Sequence, residues 1–77
     1  MLTKEQRNKF IKGSLRVERD SRDLSQVQLG EKIGTNPSTI CAWEGKGGSI
    51  SLDDAWAIAD VYGISLDQLA GRVFVEV

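Results

Sequence analysis

The chemistry open to this 77-residue chain is limited first by what is missing: it has one cysteine, Cys41, and no histidine. A lone thiol without a histidine has no general base for nucleophilic attack and no co-ligands for zinc, and it cannot form an internal disulfide. The acidic and basic residues assemble no acid, base, nucleophile and metal set, so the expectation is a non-enzyme without a cofactor. What remains is hydrogen bonding and charge. Residues 1–24 carry Lys4, Arg7, Lys9, Lys12, Arg16, Arg19 and Arg22 against Glu5, Glu18, Asp20 and Asp23, a net +3. Residues 51–77 carry Arg72 against Asp53, Asp54, Asp60, Asp67 and Glu76, a net −4. The overall charge of −1 therefore conceals a basic and an acidic end, although ordinary solvated helix charges would produce the same count.

The elements that must position any such groups are short. Hydrophobic residues make up 40% and charged residues 27%, with no apolar run near the length of a membrane span, so the chain reads as one soluble globular domain. The first twelve residues are charged and lack the apolar core of a signal peptide, which makes a cytoplasmic location the expectation. A domain of this size buries only about 60% of its unfolded surface, so each apolar residue at a periodic position counts as candidate core.

Thr3 with Gln6 is a capping box, and the Phe10, Ile11 and Leu15 pattern behind it predicts a helix from Lys4 to about Ser21. Ser25 with Gln28 predicts a second, carrying Val27, Leu29 and Ile33 and stopped by Gly34. Asn36 as cap and Pro37 at the first helical position predict a third, to about Glu44, closed by Gly45, Gly47 and Gly48. Ser51 with Asp54 opens a fourth, with Leu52, Ala55, Trp56, Ile58, Ala59 and Tyr62 as its apolar stripe and Gly63 as its stop. Ser65 opens a fifth, ending at Gly71, and after it Val73, Val75 and Val77 alternate with Arg72, Phe74 and Glu76 in strand periodicity. The expected organisation is an all-α, five-helix domain over 1–71 with a short extended tail over 72–77.

Helices two and three are joined only by Gly34-Thr35-Asn36, which fixes them at a steep angle, the helix-turn-helix geometry. Gly30 supplies a small residue on the inner face of the first. Ile40 and Trp43, three apart, point inward from the second, so Asn36, Ser38, Cys41 and Ala42 fall on the side that would enter a major groove.

At these residues the chain resembles the Cro and phage-repressor-type helix-turn-helix regulators, with a lambda-repressor-like fold. The resemblance runs from about Ile11 to Gly71 and is carried by Leu24-Ser25-Gln26, Gly34, Ser38-Thr39-Ile40, Trp43-Glu44, Ser51-Leu52 and Gly63-Ile64-Ser65-Leu66-Asp67 with Leu69 and Gly71. It implies a sequence-specific DNA-binding regulator, a repressor of operator DNA, built on the unit 25–44. Gln26 matches a position that hydrogen-bonds a phosphate, assisted by the amides of a helix start. Asn36, Pro37, Ser38, Cys41 and Ala42 match positions that touch base edges, with Thr39 and Lys46 completing the expected DNA-facing set. Arg19 and Glu44 match an internal salt bridge between the first and third helices.

The departures from the family pattern are informative. Only Asn36 can read a base bidentately, so direct readout is expected to be thin. Lys46 is the sole cation of a loop where basic residues and a proline are common, Gly30 replaces a more frequent alanine, and Glu18 occupies an often apolar position at the core rim. A neutral recognition helix also suits a second hypothesis, a protein-interaction module of the antirepressor or antitoxin kind with weak or no DNA binding. On DNA a homodimer is expected, through Val73, Phe74, Val75 and Val77 of the tail, with Trp56 and Leu66 or Leu69 as alternative contacts. The sequence shows no small-molecule site and no membrane partner.

Overall fold

A computed structural model describes residues 2–45 and 47–72. Among the described residues there are five helices and no strand: α1 (Lys4–Asp20), α2 (Gln26–Ile33), α3 (Pro37–Glu44), α4 (Leu52–Tyr62) and α5 (Leu66–Leu69). Every one starts where a capping side chain precedes it. Thr3, Ser25, Asn36, Ser51 and Ser65 each accept a hydrogen bond from the amide three residues on, with reciprocal capping boxes at Thr3/Gln6 and Ser25/Gln28. Each cap satisfies an orphan donor at a helix start and is worth about 1 kcal/mol. At the other end of α2, Gly34 adopts φ 76°, a left-handed backbone that a side chain would strain. Helix α5 is shorter than expected, closing at Ala70 before Gly71.

Leu15, Leu29, Ile40, Trp43, Ile58, Ala59 and Leu69 are buried, so all five helices feed one core, with Ile11, Ile33, Ile50, Ala55, Tyr62, Ile64 and Leu66 packed around it. The core is narrower than the apolar pattern suggested. Phe10, Val27, Leu52 and Trp56 are all more than half exposed. The reason is geometric: α1 turns its Ile11–Leu15–Arg19 row inward and α4 its Ala55–Ile58–Ala59–Tyr62 row, which leaves Phe10 and Trp56 to one side. Leu69 was an alternative dimer contact, but at 2% exposure it belongs to the core and cannot meet a partner.

Candidate nucleic-acid interface

The turn between α2 and α3 is closer than helix packing alone requires. A Cβ on Gly30 would stand 2.5 Å from the Thr35 carbonyl oxygen, and the Thr35 amide donates to the Gly30 carbonyl at 2.9 Å. Gly30 therefore lets the turn backbone, rather than α3 itself, fold down onto α2. From this turn α3 emerges with Ile40 and Trp43 buried and with Asn36, Pro37, Ser38 and Cys41 exposed; Thr39 and Ala42 are half-buried. These expected base-edge residues thus share the amino-terminal end and one outer side of a single helix. Ala42 is the least open of them, because the Gly47 backbone lies so close that a Cβ there would come within 2.7 Å of the Ala42 Cα.

Asn36, expected at a base edge, is also the cap of α3. Its Oδ1 accepts from the Thr39 amide at 2.9 Å and from the Thr39 hydroxyl at 3.0 Å. Both lone pairs of that oxygen are engaged by the cap, so the side-chain NH₂ is what it can offer to an acceptor on a base. The bidentate base contact expected of Asn36 needs the oxygen as well, which this rotamer withholds.

Behind the exposed side stands a polar network. Arg19 donates from Nε and Nη2 to the two carboxylate oxygens of Glu44 at 2.8 and 2.9 Å, and from Nη1 to the Leu24 carbonyl at 2.7 Å. The two side chains are 11% and 6% exposed, so this fork joins α1 to the end of α3 largely out of water. Its hydrogen bond to Glu44 raises the Arg19 pKa despite burial, which keeps the guanidinium charged. Gln26, at the start of α2, donates from Nε2 to the same carboxylate at 3.4 Å. The donor expected to meet a phosphate is therefore lent to Glu44 in the free chain.

Two further features were not anticipated. Arg22 pairs with Glu18 at 2.8 Å and lies 4.2 Å over the Tyr62 ring, joining α1 to α4. Lys12 directs its ammonium at the carbonyls of Ala42, Trp43, Gly47 and Gly48. A sequence signal for Lys12 exists: it lies two helical turns before Arg19, on the same side of α1, and α3 has no basic residue in its last turn. Part of the basic amino-terminal charge is accordingly spent on contacts within the molecule, where Arg19 and Arg22 face sheltered carboxylates, while Arg16 pairs with Asp20 on the surface. Lys46 and the tail residues Val73, Phe74, Val75 and Val77 lie outside the described residues.

Two short helices at a tight turn, the second anchored inward by Ile40 and Trp43 and open along its start and outer side, define a helix-turn-helix domain. Residues 15–69 match the model of the Cro/C1-type helix-turn-helix family, and the chain belongs to that family, whose members are DNA-binding regulators. Among solved structures the chain is similar to a crystal structure of cobalt(II) HppE in complex with substrate, at a TM-score of 0.70 and 30% identity. The match covers 80% of this chain and 35% of that one, so the chain spans about a third of that protein's length. No curated protein matches. No helix among the described residues is long and apolar enough to cross a membrane.

Proposed function

We propose that the chain is a sequence-specific transcriptional regulator that acts as a repressor, inserting the start and outer side of α3 into the major groove of operator DNA. The observation that carries this reading is the placement of Asn36, Pro37, Ser38 and Cys41 on one exposed side of a helix whose opposite side is locked to the core. Gln26 and the start of α2 would lie against the flanking phosphate, with Gln26 exchanging Glu44 for the phosphate on binding. With short side chains doing the reading, one half-site supplies little affinity. A homodimer would place two copies of α3 about 34 Å apart along one side of the duplex. Trp56, at 59% exposure, is a large apolar group available for such an interface, beside the contribution expected of the tail.

The test is a fluorescence-anisotropy titration with the DNA upstream of the chain's own gene against a scrambled duplex, repeated across a salt series. The expected outcome is preference for the upstream DNA and a log affinity that falls with log salt by about 0.9 per phosphate contacted. Binding to neither duplex would leave the chain an interaction module of the same fold. Sedimentation equilibrium on the parent, on a deletion of Val73 to Val77 and on Trp56→Ser then assigns the dimer contact. A parent that stays monomeric on operator DNA ends the dimer hypothesis.

A further inference from the structure

Helix α3 ends badly by the usual standards of helix termination. Its C-cap, Gly45, has φ −128° and ψ −134° rather than a left-handed backbone, and the one bond its amide makes, to the Ala42 carbonyl, is 3.4 Å long. No basic residue of the last turn faces the negative end of the helix dipole. The last carbonyls of the helix thus need partners from elsewhere. Lys12 provides them from α1. Its Nζ lies 3.1 Å from the Ala42 oxygen and 3.3 Å from that of Trp43, and it also reaches Gly47 at 3.2 Å and Gly48 at 3.3 Å in the loop that folds back against Ala42. Four acceptors around three protons hold the ammonium at the meeting point of α1, the end of α3 and the returning loop.

Arg19 holds Glu44 from two turns further along α1. The two anchors leave α1 seven residues, roughly 10 Å, apart and converge on the last turn of α3, one on the Ala42 and Trp43 carbonyls and the other on the Glu44 carboxylate, so that end of the helix is held from two directions. We propose that Lys12 is a positioning residue for base recognition: it sets the angle at which α3 enters the groove and so governs sequence discrimination without touching DNA. This rests on the reading of α3 as the recognition helix. The physical reason is a difference in tolerance. The exposed side chains of α3 that would read bases, Asn36, Ser38 and Cys41, are short, and their hydrogen bonds to base edges require a direction and a separation near 3 Å. Attraction to phosphates tolerates a pivot of the helix far better.

The experiment compares the parent with Lys12→Met on the upstream and scrambled duplexes across a salt series. The expected result is that discrimination between the duplexes falls roughly tenfold, within the range one lost base contact produces, while affinity for the scrambled duplex and the salt slope stay unchanged. A slope lowered by about 0.9 with equal loss on both duplexes would make Lys12 a phosphate contact and overturn the proposal. Retained discrimination would overturn it too. Gly47→Ala removes no charge but pushes the loop off Ala42, and it is expected to copy the loss of discrimination; it carries the test if Lys12→Met does not fold by circular dichroism. Amide hydrogen exchange on the free proteins gives a readout that needs no DNA: Trp43, Glu44 and Gly45 should exchange faster in either variant with α4 unchanged, and unchanged exchange refutes the clamp. A parent that binds neither duplex defeats the assignment of α3 instead, and the exchange result stands apart from it.

Discussion

Helices α3 and α4 are held in place by opposite means. Helix α4 turns Ala55, Ile58, Ala59 and Tyr62 onto the core as a continuous apolar row, with the Arg22 stack on Tyr62 at its end. Helix α3 buries Ile40 and Trp43 much as α4 buries Ile58 and Ala59, but no partly buried apolar residue of α3 extends that pair as Ala55 and Tyr62 extend the row of α4. Two inward residues set a depth and leave the direction loose. Polar anchors from α1 make up the difference: the Arg19 fork on Glu44 and the Lys12 ammonium on the last carbonyls. Apolar contacts stabilise without direction, whereas hydrogen bonds between charged groups specify direction at a cost in desolvation. Helix α3, with one side outside the core, is placed by the second kind.

The comparison is broken most severely by Arg19→Ala, which strands Glu44 at 6% exposure without its partner. A loss of about 3–5 kcal/mol is expected in urea unfolding, as for other severed buried pairs, and a midpoint close to that of the parent would show that α3 does not need the Arg19 anchor. Next in size is Ile58→Val in the apolar half. Removing one methylene from a residue 1% exposed should cost about 0.5–1.5 kcal/mol and leave operator discrimination untouched. Lost discrimination there would mean that α4 and α3 are not independently held.

Tyr62 sharpens the same contrast from within α4. Its hydroxyl is buried without a hydrogen-bond partner, and burial raises its pKa while Arg22 and Arg19 oppose the shift. A raised folded pKa means that folding favours the neutral phenol. The stability this contributes is complete below the unfolded value of about 10 and is lost as pH rises from there through the folded value. As the chain's single tyrosine, Tyr62 can be followed by absorbance at 295 nm, and its titration should lie above that of a model peptide. Tyr62→Phe should leave stability equal or raise it by up to about 1 kcal/mol, since no hydrogen bond is lost, and should flatten the alkaline decline. Marked destabilisation would reveal a partner for the hydroxyl. The smallest effect is expected from Cys41→Ser, a near-isosteric change on an exposed side of α3, with a melting temperature within about a degree of the parent by calorimetry. A large drop would put Cys41 against the core and rotate the exposed side of the helix.

The sequence by itself determined the helix starts, the turn at Gly34 and the side of α3 left open. These depend on contacts spanning three or four residues: a capping oxygen and an amide three positions on, or Ile40 and Trp43 one turn apart, which composition and spacing display directly. The partnership of Arg19 with Glu44 came from the family resemblance, because nothing local couples residues 25 apart in the chain. Tertiary structure alone decided the rest. Whether Phe10 and Trp56 enter the core depends on where neighbouring helices cross, and an apolar pattern wider than the available groove cannot say which of its edges is left in water. The loan of Gln26 to Glu44 and the reach of Lys12 across more than thirty residues are choices among partners that only the folded chain brings within 3.5 Å. A flexible side chain bonds whatever the packing of apolar surfaces has placed beside it.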